Sequence, residues 1–148
     1  MKVSDFLSSA DVMIDAAFAD KPKLLEELAR RAAPVVNLQP ALILAELQKR
    51  EQLGSTGMGG GVAIPHARFH QLQKPFGMLV RLKRPIEFDA VDGKPVDTIA
   101  LLLLPEAREG GQLGALACIA RKLRDPAVMT ALRRSRESAE IYRSLIAN

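Results

Sequence analysis

The chain has 148 residues, of which 48% are hydrophobic and 26% are charged. This balance is typical of a globular protein and excludes intrinsic disorder, and the length suits a single domain over residues 1–148. The formal net charge is +4, and no stretch packs five or six basic residues together. A nucleic-acid partner is therefore not indicated.

The single cysteine, Cys118, excludes an intrachain disulfide and a multi-cysteine zinc site, and it fits a reducing compartment. Residues 1–5 lack the apolar region of a signal peptide. The longest apolar run, residues 99–104, is far shorter than the roughly 20 residues that span a bilayer. We therefore expect a soluble, cytoplasmic protein without membrane insertion.

Helical and strand-like segments alternate along the chain, which predicts an α/β fold. A short strand is predicted at residues 12–14. Asp20 is expected to cap a helix that Pro34 ends, because proline disrupts a helix interior. Pro40 is expected to open a second helix, which ends near Gly54.

The second half of the chain begins with a glycine-rich segment, predicted to be a loop because five of its eight residues are glycine. One later apolar run has no polar alternation, as in a central strand covered on both faces. The predicted elements are the loop at 54–61, strands at 62–64, 76–82 and 99–104, a short extended piece at 85–88, and helices along 113–123, from Asp125-Pro126, and over 137–146.

His66 and His70 are the only histidines, and His66 follows a short apolar strand and Pro65. Proline ends strand pairing, so the next side chain is presented at the strand's end, where open α/β sheets form their clefts. A neutral imidazole near pH 7 has a lone pair that can accept a phosphoryl group. Taken alone, however, a histidine after proline is more often a surface or capping residue.

Three neighbouring features favour phosphoryl acceptance at His66. Ser55 and Thr56 offer hydroxyl donors, and the glycine-rich loop offers backbone N–H groups. Arg50 and Arg68 flank the motif, and guanidinium groups suit phosphate oxygens. Positive charges near a histidine also disfavour the imidazolium, which keeps the nucleophile neutral. The commoner fate of an arginine is that of a solvated surface charge.

The glycine-rich loop does not match the common nucleotide-binding motifs. No Gly-Lys-Ser/Thr follows it, as a Walker A loop requires, and Val62 stands where a dinucleotide fingerprint needs its last glycine. His70 follows His66 by four residues, but no third cysteine, aspartate or glutamate ligand lies nearby. We therefore predict no cofactor and no metal, with His70 exposed.

Three stretches of the sequence together carry a family resemblance. They are Arg50-Glu51-x-x-Gly54-Ser55-Thr56-Gly57-Met58-Gly59, then Val62-Ala63-Ile64-Pro65-His66-Ala67, and then residues 85–97 with Leu104-Pro105. They resemble the enzyme IIA family of the sugar phosphotransferase system, of the fructose–mannitol type, and most of all its nitrogen-regulatory branch. The likeness covers most of the chain.

The resemblance implies one α/β domain with a mixed central β-sheet and helices on both faces. It implies that His66 accepts a phosphoryl group, through Nε2, from a phosphocarrier protein of the HPr or NPr type. The chain would then be a phosphotransferase system component and not a stand-alone metabolic enzyme. Arg50 matches the family's arginine near the phosphate, and Ser55 and Thr56 match its loop hydroxyls. Arg68 stands where the nitrogen-regulatory branch often has a basic residue, and we count all four as phosphate-stabilising candidates.

Position 112 departs from the family pattern, because Gln112 stands where the family usually has a second histidine. A glutamine amide can donate a hydrogen bond to a phosphoryl oxygen, but it carries no charge and shuttles no proton. Gln112 is therefore a candidate for stabilising the phosphate, but without the charge or the proton transfer that the family's second histidine provides.

The sequence and its resemblance together predict a phosphohistidine carrier with a regulatory, nitrogen-related output. Two alternatives stay open: a sugar-specific fructose or mannitol component, and a binding-only regulator with impaired phosphotransfer, which Gln112 would permit. The sequence names no regulatory target and leaves the oligomeric state open.

Overall fold

A computed structural model describes residues 1–106 and 110–147, and for residues 110–113 it describes the backbone only. The described residues form a six-stranded sheet and five α-helices. The strands are β1 (Val12–Ala16), β2 (Gly57–Gly59), β3 (Val62–Ala63), β4 (His66–Phe69), β5 (Phe76–Ile86) and β6 (Val96–Pro105). The helices are α1 (Lys21–Val36), α2 (Pro40–Gln52), α3 (Gly110–Arg124), α4 (Pro126–Arg134) and α5 (Ser138–Ile146).

The sheet is mixed, as the family resemblance implied. Its strand order is β1-β5-β6-β3-β2, and β4 also pairs with β6. Strand β5 runs antiparallel to β6 and parallel to β1, whereas β3 and β4 both run parallel to β6. Because β5 occupies one edge of β6 along most of its length, β3 and β4 lie in succession along the other edge.

Strand β6 is the centre of two hydrophobic cores. Every residue from 99 to 104 is at most 2% exposed, which confirms the predicted central strand. Leu101 and Leu103 belong to a core with α1 and α2, whereas Leu102 and Leu104 belong to a core with α3, α4 and α5. The alternation follows from the two-residue period of a strand and covers both faces with helices, as predicted.

Helix α1 begins as predicted but ends later. Asp20 caps it, since its Oδ1 accepts a hydrogen bond of 3.0 Å from the Lys23 amide. The prediction that Pro34 ends the helix is wrong, because α1 continues to Val36 and then to Asn37 in the left-handed conformation, with φ of 58°. Proline in the last turn removes only one backbone hydrogen bond, and asparagine tolerates the left-handed end.

Strands β2 and β5 differ from the predictions. The glycine-rich segment is not wholly a loop, because Gly57–Gly59 forms β2 and pairs with β3. The predicted strand at 76–82 is longer than expected, because the single strand β5 continues through the first part of the extended piece predicted at 85–88 and ends at Ile86. Its pairing with β6 is irregular between Arg81 and Ile86, so Pro85 lies where a missing N–H group is tolerated.

The predictions for the C-terminal third agree with the structure. The apolar stripe along 113–123 falls within α3, and the segment 137–146 contains α5. Asp125 caps α4, because its Oδ1 accepts a hydrogen bond of 2.9 Å from the Ala127 amide. None of the helices of the described residues is long and apolar enough to cross a membrane.

Candidate functional site

His66 is the first residue of β4, a strand that the sequence analysis did not predict. The carbonyl of Pro65 accepts a hydrogen bond of 3.0 Å from the Leu102 amide, so pairing with β6 continues across the break after β3. Alternation along β4 buries Ala67 and leaves His66 and Arg68 half-buried. His66 and Arg68 therefore share one face of a strand whose backbone is fixed by the sheet.

One hydrogen bond sets the tautomer of the neutral His66 ring. Its Nδ1 lies 2.8 Å from the carbonyl oxygen of Ile64. Because a carbonyl oxygen only accepts, Nδ1 must carry the hydrogen of this bond, and Nε2 of the neutral ring then holds the lone pair. The ring is thus oriented by its own backbone, and Nε2 has no hydrogen-bond partner among the side chains that the structure describes.

Burial lowers the pKa of His66 below its ordinary value of 6.5. The positive charges of Arg50 and Arg68 act in the same direction, whereas the Ile64 carbonyl and the carboxylate of Glu51 oppose the shift. The imidazole is consequently neutral at pH 7, which is the state that a nucleophile requires. The sequence analysis predicted the effect of the arginines, but burial is the larger cause.

Arg50 and Arg68 reach the surroundings of His66 from two different elements. Arg50 lies in the last turn of α2, and its Nη1 donates a hydrogen bond of 2.9 Å to the Gly54 carbonyl. Arg68 lies on β4 and donates through Nη1 to the Pro105 carbonyl at 3.3 Å. A guanidinium has five N–H donors, so each arginine retains donors for an anion.

The hydroxyls of Ser55 and Thr56 are engaged within the protein. Ser55 Oγ donates to the Phe88 carbonyl at 2.5 Å and accepts from the Gly57 amide at 3.0 Å. Thr56 Oγ1 donates to Oε2 of Glu51 at 2.5 Å. Both hydroxyl hydrogens are therefore used to hold the loop between α2 and β2.

Glu51 and Lys21 are the residues of this region whose importance the sequence analysis missed. Oε1 of Glu51 accepts from the Thr56 amide at 3.1 Å and lies 2.8 Å from Nζ of Lys21. Nζ of Lys21 also lies 4.4 Å from the centroid of the Phe88 ring. Glu51 adjoins Arg50 in the sequence, but no sequence signal connects it to the start of α1.

The turn between β2 and β3 is held from two sides. The Gly60 amide donates to Oδ2 of Asp92 at 3.1 Å, and its carbonyl accepts from Nη2 of Arg133 at 2.7 Å. Arg133 also forms a two-bond pair with Asp97, at 3.0 and 3.1 Å. Amide donors from Lys94 and Gly60 lower the pKa of Asp92. The hairpin that precedes His66 is thereby attached to α4.

The remaining predicted residues are placed as follows. The side chain of Gln112 lies outside the described residues. His70 is exposed just after β4, as predicted, and Cys118 lies on α3 and is buried in the core that α3 shares with α4 and α5. Among the described residues, no group of three or more histidine, cysteine, aspartate or glutamate side chains could hold a metal ion.

Known proteins resemble this chain over most of its length. The family model described as "Phosphoenolpyruvate-dependent sugar phosphotransferase system, EIIA 2" matches residues 5–148. The nitrogen regulatory protein of Bradyrhizobium diazoefficiens is 41% identical over 142 residues, which cover 96% of this chain and 93% of that protein. The nitrogen regulatory protein of Escherichia coli is 35% identical and covers 82% of this chain and 76% of its own.

A solved structure extends the likeness to three dimensions. The nitrogen regulatory protein IIA-Ntr of Neisseria meningitidis superposes with a TM-score of 0.91 at 34% identity, covering 97% of this chain and 98% of that one. These findings confirm the resemblance and the fold that the sequence indicated. The chain belongs to the EIIA 2 family of the phosphoenolpyruvate-dependent sugar phosphotransferase system.

Proposed function

We propose that the chain is a phosphohistidine carrier in which Nε2 of His66 accepts a phosphoryl group from an HPr- or NPr-type phosphocarrier protein. The observation that carries this proposal is the hydrogen bond between Nδ1 of His66 and the Ile64 carbonyl, at 2.8 Å. In the ring that burial keeps neutral, this bond places the lone pair on Nε2, which is the form of imidazole that attacks phosphorus.

The proposed step exchanges one phosphorus–nitrogen bond for another. The lone pair of Nε2 attacks the phosphorus of the donor's phosphohistidine, while the donor nitrogen leaves with the electron pair of the broken bond. Little covalent help is needed, because such transfers depend on in-line positioning and on neutralising the equatorial oxygens. The remaining N–H groups of Arg50 and Arg68 are suited to that task.

Ser55, Thr56 and Gln112 complete the proposed phosphate site. Ser55 and Thr56 hold the loop beside Glu51, and their hydroxyls would reach a phosphoryl oxygen by exchanging their present acceptors. Gln112 would add a neutral amide donor in place of a second charged histidine. We assign the main electrostatic work to the two arginines for this reason.

Two exposed apolar side chains support docking of a carrier protein beside this site. Leu53, which is 85% exposed, follows the end of α2 that carries Arg50. Val91, which is 80% exposed, donates its amide to the Gly57 carbonyl at 3.2 Å. A carrier protein that covered the site would bury both side chains, and burial of apolar surface favours association.

We further propose that the output is regulatory and nitrogen-related, in a cytoplasmic system. The names of the relatives that match most of the chain support this proposal over a sugar-specific role. A phosphoryl group adds about −1.5 to −2 charges by analogy with other phosphorylated side chains, which would change the affinity of a protein that docks there.

The test is phosphorylation of the purified chain with phosphoenolpyruvate, enzyme I and an HPr-type phosphocarrier, followed by intact mass spectrometry. We expect one acid-labile phosphoryl group on the wild type and on His70→Ala, the matched control. His66→Ala is expected to take up none. Continued labelling of His66→Ala would overturn the assignment, and an unlabelled wild type would favour the binding-only regulator.

A further inference from the structure

We propose that Lys21 is a positioning residue of the His66 site, where it neutralises the Glu51 carboxylate that would otherwise repel the incoming phosphoryl group. The proposal rests on the proposed phosphoryl transfer to His66. It concerns a residue from the first turn of α1, far in sequence from every motif that identifies the site.

The contact between Lys21 and Glu51 is shielded from water. Nζ of Lys21 lies 2.8 Å from Oε1 of Glu51, and the two side chains are 17% and 7% exposed. The ammonium also lies over the face of Phe88, 4.4 Å from the ring centroid. The Lys21 ammonium is therefore held between a carboxylate and an aromatic face, and it is more persistently placed than the ammonium of a surface ion pair.

Glu51 has a structural task that keeps its charge beside the site. Its two oxygens accept the amide and the hydroxyl of Thr56, at 3.1 and 2.5 Å, and so hold the loop that leads to β2. No neutral amide can accept both bonds through two equivalent oxygens, because one of its two terminal atoms is a donor. A glutamine can still keep both contacts, with its Oε1 accepting from the Thr56 amide and its Nε2 donating to the Thr56 hydroxyl oxygen, so Glu51→Gln removes the charge and retains the loop.

The same carboxylate acts electrostatically on His66. Its negative charge opposes the lowering of the His66 pKa that burial, Arg50 and Arg68 produce. A negative charge that favours a protonated imidazole also disfavours a phosphoryl group on that ring, since both effects follow from one Coulomb interaction. Lys21 allows Glu51 to anchor Thr56 while limiting this repulsion.

The experiment combines Lys21→Met, Glu51→Gln and the double variant, each in a His70→Ala background that leaves His66 as the only histidine. The pKa of His66 is measured by NMR on the unphosphorylated protein. Phosphorylation rates are measured with phosphorylated HPr. Lys23→Met is the matched control, because Lys23 lies on the same helix and forms only an exposed pair with Glu26.

We expect Lys21→Met to raise the pKa of His66 and to slow phosphorylation about tenfold, which corresponds to a barrier change of about 1.4 kcal/mol. Glu51→Gln, with Lys21 in place, is expected to lower the pKa. The double variant removes both charges and is expected to return the pKa and most of the rate towards the wild type. Lys21→Arg keeps the charge and is expected to resemble the wild type in both.

A merely structural role for Lys21 predicts no opposite pKa shifts and no recovery in the double variant. The inference is overturned if folded Lys21→Met has the wild-type pKa and rate. Should Lys21→Met fail to fold, Glu51→Gln alone decides, because an unchanged His66 pKa there removes the electrostatic link. The titration requires no phosphotransfer, so its result is independent of whether His66 is the acceptor.

Discussion

The imidazole of His66 binds a proton and, as proposed, a phosphoryl group at the same atom. With Nδ1 committed to Ile64, a proton on Nε2 removes the lone pair that phosphorus needs. Burial, Arg50 and Arg68 all act against that proton. The environment of the ring therefore favours the reactive form at neutral pH.

The depressed pKa of His66 should appear in the pH dependence of stability. The unfolded chain, with an ordinary histidine pKa near 6.5, binds a proton at a higher pH than the folded chain does. Stability is therefore expected to fall as pH falls through 6.5 towards the folded pKa, and to lose nothing further from this group below it. His66→Gln should lack this component.

The measurement is urea unfolding of the wild type and His66→Gln at several pH values between 5 and 8, about the range in which histidine titrates. The informative quantity is the difference between the two free energies of unfolding. Parallel pH profiles in the two proteins would contradict the lowered pKa.

The site was only partly predictable from the sequence. Arg68 is two residues from His66, and Arg50 begins the motif that precedes it. The sequence therefore allowed the inference that both arginines lie near the His66 ring. Lys21 could not be inferred in this way, because its contact with Glu51 depends on how α1 packs beside the end of α2. The occupied hydroxyls of Ser55 and Thr56 likewise depend on tertiary acceptors, at Phe88 and Glu51.

The strands that the sequence analysis missed, β2 and β4, both depend on pairing with other strands, which local sequence patterns do not show. Strand β2 contains two glycines, and its formation depends on pairing with β3 and on a close approach to Ala90. A Cβ atom added to Gly57 would lie 2.8 Å from that of Ala90. Strand β4 was too short to be recognised beside Pro65. Local patterns did suffice where a cap and a periodic apolar face coincide, as in α1 and α4.

The attachment of α4 to the β2–β3 turn can be tested with neighbouring arginines. Arg133→Ala removes the pair with Asp97 and the hydrogen bond to Gly60, and is expected to lower the free energy of unfolding by about 1 kcal/mol, since the pair is partly exposed. Arg134→Ala, one residue further along the same helix, is expected to change it by less than about 0.5 kcal/mol. Equal effects of the two substitutions in urea unfolding would contradict a specific attachment.

The molecule as a whole has two cores that share one sheet. Because adjacent residues of β6 enter opposite cores, neither helical layer can lose its packing without exposing the strand that supports the other. The described residues are therefore expected to unfold as one cooperative unit.

Truncation of adjacent β6 residues tests this cooperativity. Leu101→Ala and Leu102→Ala affect different cores, and each is expected to lower the free energy of unfolding by about 2–5 kcal/mol. The far-UV signal of the helices and the fluorescence of Tyr142, the only tyrosine, should change together in both variants. Leu53→Ala, at a residue that is 85% exposed, is the control. If the Tyr142 fluorescence of Leu101→Ala changed at a higher urea concentration than its far-UV signal, the two helical layers would be shown to unfold separately.

The placement of His66 at the start of a paired strand has a consequence for the entropy of association. Immobilising a mobile side chain at an interface costs about 0.5–1.5 kcal/mol. The backbone around His66 is held by the Ile64 and Leu102 amides, which donate to Thr56 and Pro65, and the ring itself is held through Nδ1. A protein that approaches Nε2 meets an atom whose direction is already set, so the ordering that accompanies their encounter falls mainly on the arginines and on the approaching partner.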